Sequence, residues 1–242
     1  MKICVVQARS AKGDIGQNII NHKKLIELAV SKKAGIIIFP ELSITGYEPS
    51  LAKELAANKD DKRLDVFQSL SDTNQVTIGV GMPTKNGTGT SISMIIFQPG
   101  KTSELYSKKY LHADEDSFFI SGENFRGLKT EPDNIALAIC YELSVPAHSE
   151  DAYKAGASIY LTSVAKTPSG VQKAAVSLAT IAANYSMTVL MANCVGQCDG
   201  EACGGKSAIW NNKGVLMGQL DDTNEGILII DTETQEIIKE SI

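Results

Sequence analysis

Short apolar segments alternate with amphipathic stretches along the chain, a pattern that is typical of α/β proteins. Residues 36–39 are four consecutive apolar side chains, three of them β-branched, and predict a strand that is buried on both faces. Residues 18–33 instead place apolar side chains on one face and lysines on the other, which predicts an amphipathic helix. The same reasoning predicts helices at 18–33, 50–57, 63–70, 146–155 and 172–186. It predicts strands at 3–6, 36–39, 76–80, 91–97, 104–107, 135–139, 158–162, 188–192, 206–210, 215–218 and 226–231.

Turn residues between these segments predict antiparallel hairpins, so mixed sheets are expected. Pro99 and Gly100 separate the strands 91–97 and 104–107. The glycine-rich segment 79–89 lacks the strand and helix that flank a dinucleotide-binding loop, and it is interpreted as another hairpin. No internal repeat or interdomain linker stands out in the sequence. We therefore predict one α/β domain that covers residues 1–242.

The composition excludes several classes of protein. The 242 residues are 43% hydrophobic, enough for a core that needs neither disulfides nor metals to hold it together. The formal net charge of −5, without long blocks of like charge, argues against nucleic acid and membrane surfaces as partners. Arg9 and Lys12 interrupt the apolar start of the chain, so no signal peptide is expected. Residues 174–198 are uncharged but include eight polar side chains, which indicates a buried helix and strand rather than a membrane span.

The five cysteines are an odd number in a chain without an expected secretory signal, which predicts a reduced, cytoplasmic protein. Cys194, Cys198 and Cys203 lie close together in the sequence, and three thiols can begin a zinc site. Their spacing is loose and no histidine lies nearby. Structural or incidental thiols are therefore the favoured interpretation, and a redox-sensitive loop is the alternative.

A carboxylate, an ammonium group and a thiol follow three of the predicted strands. Glu41, Lys108 and Cys140 come after the strands 36–39, 104–107 and 135–139. Functional groups of open α/β sheets gather beyond the carboxyl ends of the strands. As a set, Glu41 could take the proton of the thiol, while Lys108 could lower the thiol pKa and hold an oxyanion. Taken singly, the three residues are more ordinary as a cap, a surface cation and a buried thiol. Spacing alone does not bring them together.

Three segments of the chain resemble the signature segments of the carbon–nitrogen hydrolase (nitrilase) superfamily. They are FPELSITGY, YSKKYLHADEDSFFISGE and ICYELSVP, in the family's order of Glu, Lys and Cys. MKICVVQ, VLMANCVG and GGKSAIW, the last followed by Gly214, are also similar to the family. The resemblance spans nearly the whole chain, and the ordered triple is its most specific part.

The resemblance implies a four-layer α-β-β-α sandwich with two mixed β-sheets, which commonly pairs across subunits and suggests a homodimer. It implies Glu41 as general base, Lys108 as the cation that positions substrate and holds the oxyanion, and Cys140 as the nucleophile of a thioester intermediate. No metal or organic cofactor is expected for this chemistry. The implied activity is hydrolysis of a non-peptide C–N bond, most simply that of a small-molecule amide. Nitrile or N-carbamoyl hydrolysis by the same residues and a catalytically silent binding protein of the same fold are the alternatives.

The resemblance extends to residues around these three. The family pattern Tyr-x-Lys-x-x-Leu matches Tyr106, Lys108 and Leu111, which favours Lys108 over its neighbour Lys109. Glu115 resembles a second acidic residue that often orients the lysine, and a surface charge on a loop is the equal alternative.

The third segment carries further residues of interest. Glu142 matches the acidic residue that the family usually has two positions after the cysteine. Tyr141 in this segment and Tyr47 in the first are expected to contact substrate, and the Tyr141 N–H is a candidate second oxyanion donor. Ser144 stands where the family often has an arginine, and residues 181–184 lack the charges of the family's helix. These departures leave the substrate open and suggest a less polar pocket rim.

A second nucleophile arrangement is also conceivable from the sequence. His112 or His148 could pair with Cys140 as in a Cys–His hydrolase, and His148 lies only eight residues after the cysteine. This alternative receives less support than the Glu, Lys and Cys set.

Overall fold

Two β-sheets pack face to face between outer layers of helices in the computed structural model, which describes residues 1–123, 127–130 and 133–242. The strands are β1 (Lys2–Arg9), β2 (Ile36–Ile38), β3 (Thr77–Asn86), β4 (Gly89–Phe97), β5 (Glu104–Ser107), β6 (Leu128–Lys129), β7 (Asn134–Ile139), β8 (Ile159–Ser163), β9 (Thr188–Ala192), β10 (Cys194–Cys198), β11 (Glu201–Gly204), β12 (Ala208–Trp210), β13 (Leu216–Gln219), β14 (Gly226–Asp231) and β15 (Ile237–Ser241). The α-helices are α1 (Ile15–Ser31), α2 (Ala52–Leu55), α3 (Asp65–Asn74), α4 (Pro146–Lys154) and α5 (Pro168–Tyr185). Short 3₁₀ helices cover Pro49–Leu51, Lys62–Leu64 and Cys140–Ser144.

Both sheets combine parallel and antiparallel strands. The first runs in the order β11-β10-β1-β2-β3-β4-β5, and β14 and β15 extend it from β1. β1 is parallel to β2, antiparallel to β14 from Lys2 to Gln7, and parallel to β10 at Ala8 and Arg9. The second sheet runs β13-β12-β9-β8-β7-β6, with β7, β8 and β9 parallel and the outer strands antiparallel. The predicted mixed sheets are confirmed.

Three apolar layers hold this arrangement together. Val5 of β1 and Leu137 of β7 belong to the core between the two sheets. Leu25 of α1 packs in a second core between the first sheet and helices α1 and α3. Leu178 of α5 packs in a third core between the second sheet and helices α4 and α5. The order of layers is therefore α-β-β-α, and burial of these side chains is the main stabilising contribution.

Local signals define where the long helices begin. The Asp14 side chain accepts a hydrogen bond of 2.9 Å from the Gln17 N–H at the start of α1. Thr167 caps α5 in the same way through the Gly170 N–H, and Pro168 occupies the first turn, where its missing N–H has no cost. In the described part of the chain, no helix combines the length and apolarity that crossing a membrane requires.

The structure corrects several sequence predictions. The predicted helix 50–57 is a 3₁₀ turn followed by the short α2, and the predicted strand 206–210 begins only at Ala208. The sequence analysis missed β6, β10, β11 and β15. For β10 and β11 the sequence does carry a signal, the Asp199-Gly200 pair, which is typical of two-residue hairpin turns. Both residues have the positive φ that such a turn requires, 48° and 79°.

Candidate active site

The turn that follows β2 places Glu41 inside the protein. Pro40 ends the strand because proline has no N–H for the sheet ladder, and the Glu41 carboxylate that follows is fully buried. The turn packs so closely on β3 that a Cβ at Gly81 would lie 2.3 Å from the Leu42 nitrogen. Glycine at position 81 is therefore required, and a hydrogen bond of 3.0 Å from the Ile44 N–H to the Gly81 carbonyl fixes the contact.

Cys140 lies where β7 passes into the 3₁₀ helix Cys140–Ser144. Its backbone is in the left-handed region with φ of 44°. Such conformations cost a non-glycine residue about 1–3 kcal/mol and are concentrated at functional sites. The half-buried side chain packs against both the core between the sheets and the core under α4 and α5. Cys140 and Glu41 lie close enough for each to shift the pKa of the other, which places the thiol beside the carboxylate.

Lys108 follows β5 and lies between two carboxylates. Its Nζ is 2.9 Å from Glu41 Oε1 and 2.7 Å from Glu115 Oε1, and its side chain is fully buried. The neighbouring Lys109 is exposed. Successive residues of an extended segment point to opposite sides, which explains why only one of the two lysines reaches Glu41.

Glu115 is the connecting acid of this group. In addition to Lys108, its Oε1 accepts a hydrogen bond of 2.8 Å from the Tyr47 hydroxyl, and its Oε2 accepts the His112 N–H at 2.8 Å. The structure thus places Glu115 in the buried cluster instead of on the surface of a loop. Tyr47, expected to contact substrate, is half-buried and directs its hydroxyl to Glu115.

Glu142 ties the end of β5 to the turn that carries Cys140. Its Oε1 accepts the Lys109 N–H at 2.8 Å, and its Oε2 accepts the Tyr106 hydroxyl and the Ile139 N–H, each at 2.8 Å. The Glu142 side chain is fully buried, so these bonds lie in a low-dielectric environment where they are strong. One carboxylate thereby fixes the backbone next to Lys108, through Lys109, and the backbone next to Cys140, through Ile139.

Burial and charge set the protonation of the cluster. Burial raises the pKa of Glu41; the Lys108 ammonium opposes this shift and the Glu115 carboxylate adds to it. Burial lowers the pKa of Lys108, but Glu41, Cys140 and Glu115 raise it more, so the lysine stays charged. Burial and Glu41 raise the pKa of Cys140 to about 11, against the opposing charges of Lys166 and Lys108. The expected lowering by Lys108 is therefore outweighed, and the resting sulfur is a thiol that needs a base.

Sequence reasoning missed a segment on the far side of Glu41. The Ala165 N–H donates to Glu41 Oε2 at 3.2 Å, and the next residue is the half-buried Lys166, whose charge favours the Cys140 thiolate. Asn193 holds this segment, because its Oδ1 accepts the Lys166 N–H at 2.9 Å and its Nδ2 donates to the Lys166 carbonyl at 3.3 Å. These residues follow β8 and β9, so the rule that selected Glu41 and Cys140 applies to them as well.

The remaining candidates lie around the turn at Cys140. Tyr141 follows Cys140 in the 3₁₀ helix, and its ring meets the His112 ring edge to face at 5.1 Å. His148 lies on α4, where its ring nitrogens bond to the Tyr106 hydroxyl at 2.9 Å and the Tyr160 hydroxyl at 2.7 Å. Tyrosine hydroxyls are bonded to both ring nitrogens of His148 and the His112 ring packs on Tyr141, so these contacts give the Cys–His alternative no support.

Comparisons with known proteins agree with this fold. The amidase from Nesterenkonia sp. AN1, in a variant with acrylamide added to the active-site cysteine, superposes with a TM-score of 0.88 at 20% identity, covering 97% of this chain and 94% of that one. Another structure of that amidase, in complex with butyramide, gives a TM-score of 0.88 at 21% identity, covering 97% of this chain and 92% of that one. At these identities the likeness establishes the fold.

Two curated relatives are glutamine-dependent NAD(+) synthetases. The protein from Thermotoga maritima is 21% identical over 252 residues, covering all of this chain and 44% of its own length. The protein from Aquifex aeolicus is 24% identical over 245 residues, covering 98% of this chain and 43% of its own length. This chain therefore spans less than half the length of these relatives.

A family model covers almost the entire sequence. The model described as carbon-nitrogen hydrolase matches residues 2–239. The family's order of acid, lysine and cysteine is present, and the fold is the one shared with the amidase structures. The chain therefore belongs to the carbon–nitrogen hydrolase family.

Proposed function

We propose that this chain hydrolyses the C–N bond of a small-molecule amide through a thioester on Cys140. The observation that carries the proposal is the buried group in which the Lys108 ammonium lies 2.9 Å from Glu41 Oε1 and the Cys140 thiol is near enough to shift the pKa of that carboxyl group. Base, cation and nucleophile thus share one site.

In the first half of the reaction, Glu41 takes the proton of the Cys140 thiol as the sulfur attacks the amide carbon. The raised pKa of Glu41 makes it a stronger base than an ordinary carboxylate. The developing oxyanion is stabilised by the Lys108 ammonium and the backbone N–H of Tyr141, since N–H groups in the first turn of a helix lack partners within that helix. Glu41 then protonates the leaving nitrogen, which releases ammonia or an amine and leaves the acyl group on sulfur.

Water completes the cycle in the second half. Glu41 takes a proton from a water molecule that attacks the thioester carbonyl, and the same donors stabilise the second oxyanion. Collapse of this intermediate breaks the C–S bond, returns the proton to sulfur and releases the carboxylic acid. Neither half requires a metal or an organic cofactor.

Glu115 and Tyr47 support Lys108 in this scheme. The Glu115 carboxylate lies 2.7 Å from the Lys108 Nζ and keeps the ammonium from pairing with Glu41 alone. The Tyr47 hydroxyl steadies Glu115, and the exposed part of its ring is available to substrate together with Tyr141.

An amide is favoured over a nitrile or N-carbamoyl substrate by what is known of the similar proteins. The Nesterenkonia amidase binds butyramide, and the curated relatives are glutamine-dependent, so both are associated with carboxamides. We propose further that residues 1–242 act as one domain, because β1 pairs with β2, β10 and β14 in a single sheet. The expected location is the cytoplasm.

A substrate panel tests the proposed reaction. Butyramide is expected to release ammonia and butyrate in equal amounts, and intact-mass spectrometry is expected to show a butyryl adduct that maps to Cys140. Faster turnover of butyronitrile, or carbon dioxide from an N-carbamoyl compound, would replace the amide with the alternative substrate. Absence of product and adduct with all three compounds would point to a binding protein of the same fold.

We also propose a homodimer formed through the outer faces of α4 and α5. Tyr153 on α4 is 54% exposed and Val176 on α5 is 69% exposed, and the Tyr153 ring lies 5.3 Å from that of Tyr185. Such an apolar surface on two adjacent helices suits a self-complementary interface.

Sedimentation velocity tests the oligomeric state. The wild-type chain is expected to sediment as a dimer, and Val176→Lys combined with Tyr153→Lys is expected to shift it to monomer. Ile20→Lys is the matched control, because Ile20 is a similarly exposed apolar residue, 51% accessible, on α1. A monomeric wild type, or dissociation by the Ile20 variant as well, contradicts the assignment of this face.

A further inference from the structure

Three cysteine sulfurs converge on the hairpin formed by β10 and β11. Cys198 and Cys203 form a disulfide with a Cα–Cα distance of 6.0 Å, and the Cys194 sulfur lies 3.1 Å from that of Cys198. All three sulfur atoms lie within 4.8 Å of one another. The disulfide corrects the expectation of a reduced protein in which these cysteines are structural or incidental thiols.

The strand register explains why the three sulfurs meet. Cys203 pairs with Gly196 across the hairpin, and Cys194 and Cys198 lie two positions before and after that glycine. Residues two apart on a strand share a face, so the three cysteines surround Gly196 on one side of the hairpin. Gly196 has φ of 90°, which bends β10 and draws its two cysteines together.

A disulfide accounts for only two of these sulfurs. The third lies in contact with the pair and is buried, and nothing in the proposed amide chemistry employs it. When a thiol reductant supplies two electrons and two protons to the Cys198–Cys203 bond, the hairpin presents three thiols on one face. Soft thiolate ligands of this kind select thiophilic cations.

We propose that the reduced Cys194, Cys198 and Cys203 bind one zinc ion, and that the Cys198–Cys203 disulfide is the metal-free, oxidised state of the same site. Binding forms three Zn–S bonds and releases three protons from the thiols, while water takes the fourth position. Sulfur ligands of a tetrahedral zinc, each at about 2.3 Å, lie about 3.8 Å apart. The Cys194 and Cys198 sulfurs are 3.1 Å apart and all three lie within 4.8 Å, so side-chain rotation after reduction is sufficient to reach this spacing.

The surroundings suit such a site. Cys198 is only half-buried and lies beside the Asp199 turn, which leaves room for the water ligand. Zinc with three thiolates carries one net negative charge, and the Arg9 side chain packs against the hairpin at Gly196, where a Cβ would lie 3.1 Å from Arg9 Nη1. A positive charge therefore stands next to the site.

The site also adjoins the segment of Ala165 and Lys166 beside Glu41. Cys194 directly follows Asn193, the residue that holds Lys166, and the Gly204 N–H at the end of β11 donates to the Lys166 carbonyl at 2.7 Å. A metal on this hairpin supports the segment from which Ala165 bonds to Glu41. The inference about zinc itself stands on the cysteines and does not depend on the proposed hydrolysis.

Zinc content tests the inference directly. Purified chain is reduced with a phosphine, desalted, incubated with zinc sulfate, passed over a gel-filtration column and measured by elemental mass spectrometry. One zinc per reduced chain is expected, against less than about one tenth in chain whose disulfide has been kept oxidised, because disulfide sulfur is a poor zinc ligand. Labelling with a thiol-reactive dye provides the second readout. Bound zinc is expected to protect three thiols of the reduced chain from the dye.

Serine variants identify the ligands. Cys194→Ser, Cys198→Ser and Cys203→Ser are each expected to weaken zinc binding at least about tenfold. Cys140→Ser is the control and is expected to retain the full zinc content. A reduced wild type without zinc, equal binding by oxidised chain, unchanged binding by Cys203→Ser, or loss in Cys140→Ser would each overturn the proposal. The comparison of oxidised and reduced wild type stands even if a variant fails to fold.

Discussion

Cys140→Ala is expected to lower kcat/KM for butyramide by at least about 10⁴-fold, because no sulfur remains to form the thioester. The sulfur contributes little to the folded state, since the residue is half-buried and its backbone conformation is already unfavourable for a residue with a Cβ. Thermal unfolding is therefore expected to remain cooperative. Ammonia release and circular dichroism measure the two quantities on the same preparation.

Cys4→Ala is the matched control for this loss. Cys4 lies on β1 in the core between the first sheet and α1, outside the cluster around Lys108, so its removal is expected to leave kcat/KM within about twofold. Turnover by the Cys140 variant close to that of wild type would exclude a thioester on this residue.

Lys108→Ala is expected to reduce kcat/KM by about 10²–10³-fold, the usual loss when one oxyanion donor is removed. The adjacent Lys109→Ala is expected to change it by less than about twofold, since the Lys109 side chain is exposed. Steady-state kinetics on both variants gives the comparison. Similar losses for the two lysines would show that the wrong residue of the pair has been assigned.

Stability must be followed alongside the Lys108 kinetics. Removal of Lys108 leaves Glu41 and Glu115 buried without their shared cation, so a lower melting temperature is expected for that variant. Rates are therefore compared at a temperature at which circular dichroism shows both variants folded.

Sequence patterns were sufficient for the α/β alternation, the mixed sheets and the ends of several strands, whereas the four layers were implied by the family resemblance. A strand such as β2 is buried on both faces, and three consecutive isoleucines report this without any tertiary information. Because functional groups of α/β sheets gather beyond the carboxyl ends of the strands, the residues after β2 and β7 are natural candidates. The same rule, applied to β8 and β9, would have added Lys166 and Asn193.

Other parts of the site depend on contacts that no local pattern encodes. The Tyr47 hydroxyl bonds to Glu115, which lies 68 positions away in the sequence. The Tyr106 hydroxyl bonds to Glu142, which lies 36 positions away. These bonds form only once the sheets have packed, so the sequence identified Glu115 and Glu142 by resemblance without these tyrosine partners. The thiol pKa depends likewise on burial, which a sequence does not quantify.

The pairing of β1 with β14 has a consequence for biosynthesis. Lys2 is matched with Asp231, so one flank of the first strand stays open until β14 has left the ribosome. Pairings so distant in sequence close slowly, and an unpaired apolar strand is a template for aggregation in the meantime. A chaperone that shields this strand should therefore raise the yield of native protein, because the first sheet cannot be completed during translation before its final strands emerge.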